Sequence, residues 1–577
     1  MLRTLCRMSS KAPPSELLSM SPAAFAEALE AARVAHPNAT LAVPIGLRLL
    51  SDQLTPVLAY RRLVAPDERT APSFLFESVE GGQRQGRYSI LGADPSFEIA
   101  AHRHDVTITE HAPSAHGAAS AESHTTGDPL VTLRERARRY RLVVPPERSR
   151  NHALPDAFLG GFVGFAGYDV VRYAEPGKLP FDAAPADDRG LPDLHFAFYP
   201  TVVVFDNVTK LVHVVHLAVV EPGDARPADE MYESARARLG ATLHALRTHS
   251  EPMTTGVFAE APVERDAATG LPRGCGSNTS RDEFFGVVER AKEYIRAGDV
   301  FQVVLGQRLE RESGADPFDV YRALRVVNPS PYMVYLQARG CILVASSPEI
   351  LCRLRRDADG RRVLTNRPLA GTRPRGATTE RDAALEAELL ADAKETAEHV
   401  MLVDLARNDV GKLSRTASVS IDAALEVERY SHVMHISSTV TGALRDDLDG
   451  WDALRSSLPV GTVSGAPKIR AMQIIDELEA NKRGPYAGGF GYVSLDGDMD
   501  IALALRTIVA PTDRVRLGEG RWTYHLQAGA GVVYDSEPAK EFEETVNKAA
   551  ALSRAISAAE EAFAPISAAD GSSEPKR

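Results

Sequence analysis

The sequence predicts an α+β fold, because its two halves differ in their pattern of apolar residues. Between about residues 40 and 250, β-branched runs such as DLHFAFYPTVVVFDN and KLVHVVHLAVV are separated by polar punctuation, which is typical of strands. From about 281 to 560, strand-like runs alternate with helical patterns. The length of 577 residues provides for two to four domains and a large core.

The order of the patterns divides the chain into five expected regions. HAPSAHGAASAESHTTGDP interrupts the strand-rich region and predicts a flexible surface loop. The polar stretch DAATGLPRGCGSNTS separates the two halves. The regions are 1–40 (a tail and the helix SPAAFAEALEAARVA), 41–250 (strand-rich), 251–280 (linker), 281–560 (C-terminal region) and 561–577 (disordered tail).

Capping signals define the helices of the C-terminal region. SRDEFFGVVERAKEYIRAG has Ser280 as N-cap and Gly298 as its C-terminal stop, and VFQVVLGQRLERE and CILVASSPEILCRL follow as strands. TERDAALEAELLADAKETAEHVMLVDLARND predicts a long helix. APKIRAMQIIDELEAN predicts another, with Pro467 near its first turn, and SEPAKEFEETVNKAAALSRAISAAEEAF is the last helix.

Composition excludes several classes of protein. Apolar residues make up 44% and charged residues 25%, as in globular proteins. A net charge of −12 without a basic stripe argues against nucleic-acid binding, and no apolar run is long enough to span a membrane. The four cysteines are scattered without CxxC pairing, which indicates neither zinc nor disulfides and favours a reducing compartment, the cytoplasm. The basic stretch before Glu16 leaves two readings open, a short organellar targeting segment or a plain tail.

Two pairs of glutamates share one spacing. Glu395 and Glu398 lie three residues apart in ETAEHVMLVDLARND, and Glu541 and Glu544 in AKEFEETVNKA, so each pair occupies one face of a predicted helix. On spacing alone, solvated helix faces that pair with lysines are the commoner explanation. The alternative is that facing helices hold a hard divalent cation such as Mg²⁺ through oxygen.

The motifs around these glutamates favour the second explanation. RPLAGTRPRG, ETAEHVMLVDLARND, SHVMHISSTVTG, LPVGTVSGAPKIRAMQIIDELE, GPYAGGFGYVS, IALALRTIV and AGAGVVYDSEP occur in this order. Together they closely resemble the chorismate-binding enzymes, and specifically component I of anthranilate synthase. The resemblance is dense from about 281 to 555 and sparser upstream, in FLFESVEGGQRQGRYSILGADP and GGFVGFAGYDVVRYAE.

The resemblance implies a fold, a substrate and a metal. The fold is two large, mainly antiparallel β-sheets packed face to face with helices outside, and the active site lies in a cleft of the C-terminal part. The substrate is chorismate, a dianion. The resemblance implies that Mg²⁺ takes its ring carboxylate and is held by Glu398 and Glu544, with Glu395 and Glu541 supporting through water.

The resemblance also assigns residues to the reaction. Glu349 in VASSPEIL matches the general acid, and His435 in VMHISS matches the histidine of the pyruvate-elimination step. Without the resemblance, His435 would be taken for a core histidine and the glycines of AGAGVV for a strand bulge. The expected substrate-binding residues are Arg506, Tyr486, Thr462, Gly371, Thr372, Gly529 and Gly531.

Two positions separate relatives within the resemblance. Relatives that add water carry a lysine base where this chain has Gln302, which disfavours isochorismate or salicylate synthesis. Aminodeoxychorismate synthases typically carry a lysine where this chain has Ala370. The expected reaction is therefore chorismate plus ammonia to anthranilate and pyruvate, the first step of tryptophan biosynthesis. The alternatives are an aminodeoxychorismate synthase component I and, in another class, a non-catalytic amino-acid sensor.

A partner and an inhibitor are implied as well. No cysteine lies in a G-x-C-x-G elbow, so the ammonia is expected from a separate glutamine amidotransferase subunit, with free ammonia as the fallback donor. FLFES and NPSPYM match the tryptophan feedback site, which makes 41–250 a regulatory region. Phe76 replaces the usual leucine there. The expected tryptophan contacts are Glu77, Ser78, Pro331, Tyr332 and Met333.

Overall fold

Two large β-sheets dominate the structure, a computed structural model, and this confirms the predicted α+β class. Among the described residues, all pairs of neighbouring strands are antiparallel except the strands Thr40–Leu50 and Tyr140–Leu142, which pair in parallel. The residues that the structure describes are 12–50, 52–64, 71–78, 86–111, 120–144, 154–248, 253–259, 262–430, 433–512 and 520–563.

The first sheet has 13 strands within the described residues and draws on both halves of the chain. A short strand, β21, pairs with β13 off the main path. In spatial order the sheet contains β12 (Cys275–Ser277), β13 (Gln302–Ser313), β25 (Trp522–Val532), β24 (Thr507–Pro511), β15 (Cys341–Ser347), β14 (Tyr332–Ala338), β2 (Ser73–Glu77), β3 (Tyr88–Gly92), β10 (Thr201–Asp206), β11 (Leu211–Val220), β1 (Thr40–Leu50) and β7 (Tyr140–Leu142), with β21 at Gly465–Ala466.

The second sheet, counted over the same part of the chain, has 12 strands and also combines both halves. Strand β19 pairs with β20 off the main path. In spatial order it contains β18 (Leu369–Pro374), β20 (Val433–Ala443), β17 (Arg362–Asn366), β16 (Ile350–Arg356), β23 (Met499–Leu503), β22 (Gly489–Ser494), β8 (Gly161–Ala166), β9 (Leu194–Tyr199), β4 (Phe97–His102), β5 (Asp105–Glu110) and β6 (Ser120–Thr125), with β19 at Ser420–Arg429.

Amphipathic helices accompany the sheets. Most begin at a polar N-cap, as Ser280 shows by capping its helix through a reciprocal bond with Glu283. They are α1 (Pro22–Ala35), α2 (Pro56–Leu63), α3 (Pro129–Arg138), α4 (Val171–Ala174), α5 (Ala228–Thr248), α6 (Arg281–Arg296), α7 (Pro317–Val327), α8 (Thr379–Ala391), α9 (Ala393–Leu413), α10 (Gly450–Ser457), α11 (Lys468–Leu478) and α12 (Pro538–Phe563). Short 3₁₀ turns lie at Ser15–Leu17, Tyr168–Val170, Phe181–Ala183 and Gly461–Val463.

The inner faces of the two sheets share a core of aromatic and aliphatic side chains. Phe74 of the first sheet packs edge-to-face against Tyr199 of the second, with 4.8 Å between ring centroids. Val334 and Phe490 belong to the same buried cluster. Since β2 pairs with β14 and β8 pairs with β22, the N-terminal and C-terminal halves are joined within each sheet. The division into five regions stays a prediction.

Three local predictions need correction. The long helix expected over 379–409 is two helices, because Asp392 adopts an extended conformation and caps α9 by accepting the N–H groups of Lys394 and Glu395. The surface loop expected at 111–129 contains β6, an exposed polar strand on the sheet edge that has no apolar alternation to reveal it. The tail expected from 561 is helical to Phe563, and its remainder lies outside the described residues.

Candidate active site

Glu349 lies in the turn from β15 to β16, where the chain passes from one sheet to the other. The turn is fixed by the backbone N–H of Leu503, which donates to the Glu349 carbonyl over 3.0 Å. Thr462 Oγ1 donates to Glu349 Oε1 over 3.3 Å. Burial raises the pKa of Glu349 to about 8, although the bond from Thr462 lowers it. The side chain therefore carries a proton at neutral pH.

His435 on β20 is held by the segment around Gly371. A bulge in β18 places Gly371 at φ +64°, a left-handed conformation that suits glycine. His435 Nδ1 lies 3.0 Å from the Gly371 carbonyl oxygen and 3.1 Å from Thr372 Oγ1. Burial, and secondarily the charge of Arg506, lowers the pKa of His435 to about 4. The ring is thus neutral, with Nδ1–H donating to the carbonyl and Nε2 left as an acceptor.

Arg506 stands between strands β23 and β24 with a φ of +45°. Its carbonyl accepts the N–H of Ser346, three residues before Glu349, which ties the arginine to the same turn. Burial lowers the pKa of its guanidinium. The described part of the chain provides no carboxylate partner for this side chain. An enclosed, unpaired guanidinium is suited to bind an anionic ligand through its fork of donors.

The two glycines of AGAGVV lie on β25, opposite β13. Gly529 pairs with Gly306, and its backbone hydrogen-bonds the hydroxyl of buried Tyr486, whose pKa is raised to about 12 by burial. A Cβ at Gly531 would lie 2.6 Å from Gln302 Nε2. Any larger residue there would displace Gln302, so the segment requires glycine for close approach.

Two of the four glutamates, Glu398 and Glu544, approach this glycine segment from two helices. Glu398 on α9 accepts Gln302 Nε2 over 3.2 Å. Glu544 on α12 accepts Lys548 Nζ over 2.7 Å, and the same ammonium donates to the Gly529 carbonyl over 2.9 Å. Glu398 and Glu544 therefore lie on helices, as predicted.

The partner glutamates have unfavourable electrostatics. Burial and, secondarily, the neighbouring Glu398 raise the pKa of Glu395. Burial raises the pKa of Glu541, and Glu544 adds to the shift, while Ser536 and Lys394 lower it. Carboxylates under mutual repulsion are stabilised by a nearby cation.

These glutamates fit a hard divalent cation with few protein ligands. Among the residues that the structure describes, no three His, Cys, Asp or Glu side chains are grouped closely enough to form a metal cage. Mg²⁺ usually takes one or two carboxylates and completes its shell with water and an anionic substrate. The carboxylate oxygens of these glutamates, which repel one another within each pair, match that requirement.

Sequence reasoning missed two side chains of this site. Lys548 contacts both Glu544 and Gly529, and the signal for it was the i, i+4 spacing from Glu544. Arg373 approaches Glu395 with Nη1 3.7 Å from Oε1. Arg373 gave no local signal, because the contact joins β18 to α9.

A second site is a cavity of about 740 Å³ between the sheets. The register of β2 and β14 sets Met333 opposite Glu77. All five residues expected to contact tryptophan line this cavity: Glu77, Ser78, Pro331, Tyr332 and Met333. The structure therefore brings together two motifs that are far apart in sequence.

The acid in this cavity already has partners. Tyr321 Oη donates to Glu77 Oε1 over 2.7 Å, and Arg325 Nε lies 2.9 Å from the same oxygen. Burial raises the pKa of Glu77 and Arg325 opposes the rise. The negative charge of this buried carboxylate is thus balanced by Arg325 within the fold.

Comparison with known proteins identifies the family. The family described as chorismate binding enzyme matches residues 72–554. The chain belongs to the chorismate-binding enzymes. It is 52% identical over 533 residues to the anthranilate synthase alpha subunit 1, chloroplastic, of Oryza sativa subsp. japonica, covering 90% of this chain and 89% of the relative. It is 41% identical to anthranilate synthase component 1 of Acetivibrio thermocellus, covering 90% of this chain and 96% of the relative.

A solved structure agrees with these relatives. Anthranilate synthase component I from Streptococcus pneumoniae superposes on this chorismate-binding enzyme with a TM-score of 0.62 and 35% identity, covering 88% of this chain and 99% of the other. Over the described ranges, no helix has the length and apolar character needed to cross a membrane.

Proposed function

We propose that this chorismate-binding enzyme is the component I of an anthranilate synthase. It converts chorismate and ammonia to anthranilate, pyruvate and water, the first step of tryptophan biosynthesis. The observation that carries the proposal is the protonated Glu349 near a cation. The strand that leads to Glu349 is hydrogen-bonded through Ser346 to Arg506, which has no carboxylate partner among the described residues. Relatives over nearly the whole chain that are named anthranilate synthase support the same reaction.

The residues of the cleft perform separate tasks. Glu349 donates its proton to the C4 hydroxyl of chorismate, which leaves as water while ammonia adds to ring C2. In the second step Nε2 of neutral His435 accepts the proton of ring C2 as the bond from C3 to the enolpyruvyl oxygen breaks. The released enolpyruvate takes up a proton at its methylene carbon and becomes pyruvate. Glu349 suits its task because a carboxylic acid with a pKa of about 8 keeps its proton until the leaving hydroxyl needs it.

Binding of the dianion is divided between two ends of the cleft. Arg506, Tyr486 and the N–H groups around Gly529 face the enolpyruvyl carboxylate. Glu398 and Glu544, supported by Glu395 and Glu541, would hold Mg²⁺, which supplies positive charge for the ring carboxylate. Thr462, Gly371 and Thr372 complete the contacts with substrate.

Gln302 supports the choice of ammonia over water. Its amide donates to Glu398, and its Oε1 is buried without a partner among the described residues. An amide cannot deprotonate water, so a chorismate-binding cleft with glutamine here lacks the base for hydration. The chain likewise has Ala370 in place of the lysine that is typical of aminodeoxychorismate synthases.

The source of ammonia, the regulation and the compartment belong to the same proposal. A glutamine amidotransferase subunit supplies ammonia, since this chain has no cysteine in a nucleophile elbow. Tryptophan inhibits by binding the cavity around Glu77 and Ser78. The chain acts in the cytoplasm unless its basic N-terminus, which lies outside the described residues, directs it to an organelle; a fluorescent fusion distinguishes the two.

The proposal is tested with the purified chain, chorismate, magnesium and an ammonium salt at mildly alkaline pH, with product fluorescence and chromatography recorded. Anthranilate is expected with ammonium, and no product is expected when glutamine replaces it. Aminodeoxychorismate or isochorismate as the product would refute the assignment. Glutamine-dependent activity of the single chain would refute the separate amidotransferase.

The metal assignment has its own test. Glu398→Gln should remain folded, lose most activity and require more Mg²⁺ for thermal stabilisation by the metal, because one anionic ligand is gone. Glu543→Gln is a matched control, since Glu543 pairs with Arg265 on the outer surface of α12. Unchanged activity and unchanged magnesium dependence in Glu398→Gln would contradict the assignment.

A further inference from the structure

Glu479 and Arg483 form a buried ion pair behind the candidate active site. Arg483 donates through Nε and Nη2 to the two oxygens of Glu479, over 2.9 and 2.6 Å. The arginine and glutamate side chains are only 1% and 4% exposed. Arg483 Nη1 also donates to the carbonyl of Val463 over 2.6 Å. Val463 directly follows Thr462, the residue that hydrogen-bonds the proposed general acid.

The same pair fixes the strand opposite the glycine segment. The guanidinium donates to the Val304 carbonyl over 2.8 Å, and the carboxylate accepts the Gly306 N–H over 2.8 Å. In the β13–β25 register, Val304 lies opposite Gly531 and Gly306 opposite Gly529. One ion pair therefore holds β13 at both positions that face the glycines.

Aromatic rings enclose the guanidinium on the remaining sides. Its central carbon lies 4.7 Å from the ring centroid of Tyr168 and 5.8 Å from that of Tyr486. Tyr486 in turn hydrogen-bonds the Gly529 backbone. Tyr486, a further residue of the predicted substrate site, therefore packs against the Arg483 guanidinium.

We propose that Arg483 and Glu479 are positioning residues, which hold the donor Thr462, the Gly529–Gly531 segment and Tyr486 in register without contacting substrate. The proposal rests on the function proposed above. A buried ion pair contributes little net stability compared with apolar packing, so its value here is geometric. Catalytic groups need to be held within about 0.5 Å of their working positions, and only a planar fork reaches two carbonyls and a carboxylate together.

The test compares Arg483→Lys with Arg311→Lys. Arg311 is a matched control, because it is buried, donates to the Ser553 carbonyl over 2.9 Å and pairs with Glu560 over 2.7 Å at the other end of β13. Lysine preserves the charge at either position but cannot reproduce the fork. The measurements are the melting temperature of each variant, and kcat and KM for chorismate with ammonium as the nitrogen donor.

We expect the two lysine variants to melt at similar temperatures while only Arg483→Lys loses kcat/KM, by about ten- to a hundredfold, with a raised KM for chorismate. A loss no greater than that of Arg311→Lys, or one with unchanged KM, would show a purely structural role. If Arg483→Lys does not fold, the charge-neutral double variant Arg483→Met with Glu479→Gln replaces it. A folded double variant with wild-type kcat/KM overturns the proposal. Absence of anthranilate from the wild type would instead refute the proposed function.

Discussion

The proposed cleft and the cavity around Glu77 differ in whether their buried ionisable groups already have charged partners. In the cleft, Arg506 has no carboxylate partner within the described residues, and Glu349 stays protonated because burial raises its pKa. In the cavity, Glu77 is already bound by Tyr321 and Arg325. The proposed cleft therefore offers a ligand a cation without a carboxylate partner and a protonated acid, whereas the cavity offers groups that a ligand must share or displace.

This difference suits the proposed roles. Unpaired groups gain their full interaction when the substrate arrives, which favours strong transition-state stabilisation. Paired groups exchange one contact for another, so the net effect of a ligand depends on which arrangement it favours. In the cavity, Tyr332 of the first sheet donates to Asp500 of the second over 3.0 Å and accepts Arg353 over 2.7 Å, so a ligand there acts on a contact between sheets.

The largest expected effect is at the general acid. Glu349→Gln keeps the shape and neutrality of the protonated side chain but has no proton to transfer. We expect kcat to fall by about 10²–10⁴-fold with little change in KM for chorismate. Glu77→Gln is the control, because it makes the same substitution in the cavity and should keep its uninhibited kcat. Equal losses in both variants would remove the distinction between the two sites.

The pH dependence of stability follows from the same acid. The pKa of Glu349 rises from 4.5 to about 8 on folding, so its contribution is fully present below pH 4.5 and is lost as pH rises through about 8. His435 behaves inversely: its pKa falls from 6.5 to about 4, so its contribution is present above pH 6.5 and is lost as pH falls through about 4. Urea unfolding should show wild type losing stability relative to Glu349→Gln between pH 4.5 and 8. Parallel curves would contradict the raised pKa.

Much of the fold could be predicted from local patterns, because helices with caps and apolar stripes form where those signals lie. Ser280 caps a helix that begins one residue later, as expected. The break at Asp392 was missed because aspartate is compatible with both a helix interior and an N-cap. Strand β6 was missed because an edge strand exposed on both faces needs no apolar residues.

The site could be predicted from motifs only as a set of residues. The resemblance supplied Glu349, His435 and Arg506. In the structure the charge of Arg506 acts on His435, and its carbonyl is bonded to Ser346 on the strand that leads to Glu349. Their ionisation could not be predicted, because it depends on burial by strands that are distant in sequence. The Arg483–Glu479 pair was missed since an i, i+4 pair is most often an exposed helix contact.

Removal of the unpaired cation should separate binding from stability. Arg506→Met deletes donors to a substrate carboxylate that together contribute about 3 kcal/mol, so KM for chorismate should rise about a hundredfold. The free energy of unfolding should stay the same or increase, since a buried unpaired charge is removed. Arg353→Met, which removes the nearer of the two arginines that pair with Asp500, should instead destabilise the fold. Loss of stability in Arg506→Met as large as in Arg353→Met would show that Arg506 is paired in solution.

The smallest effect is expected at Ser78, which lines the cavity and not the cleft. If tryptophan binds there, the serine hydroxyl provides one hydrogen bond to a charged ligand group, worth about 1.5–3 kcal/mol. Ser78→Ala should therefore weaken inhibition roughly tenfold or more, at about 1.4 kcal/mol per factor of ten. The uninhibited rate should not change, because Ser78 lines the cavity and has no proposed role in the reaction.

The measurement is an inhibition curve with tryptophan at fixed chorismate for wild type and Ser78→Ala. Ser73→Ala is a useful control, because Ser73 begins the strand that Ser78 directly follows, is buried and hydrogen-bonds Tyr60 away from the cavity. Coincident curves for wild type and Ser78→Ala would place the tryptophan site elsewhere. A lowered rate without tryptophan would mean that the cavity and the cleft are one site, because a group that acts only on the inhibitor cannot alter uninhibited turnover.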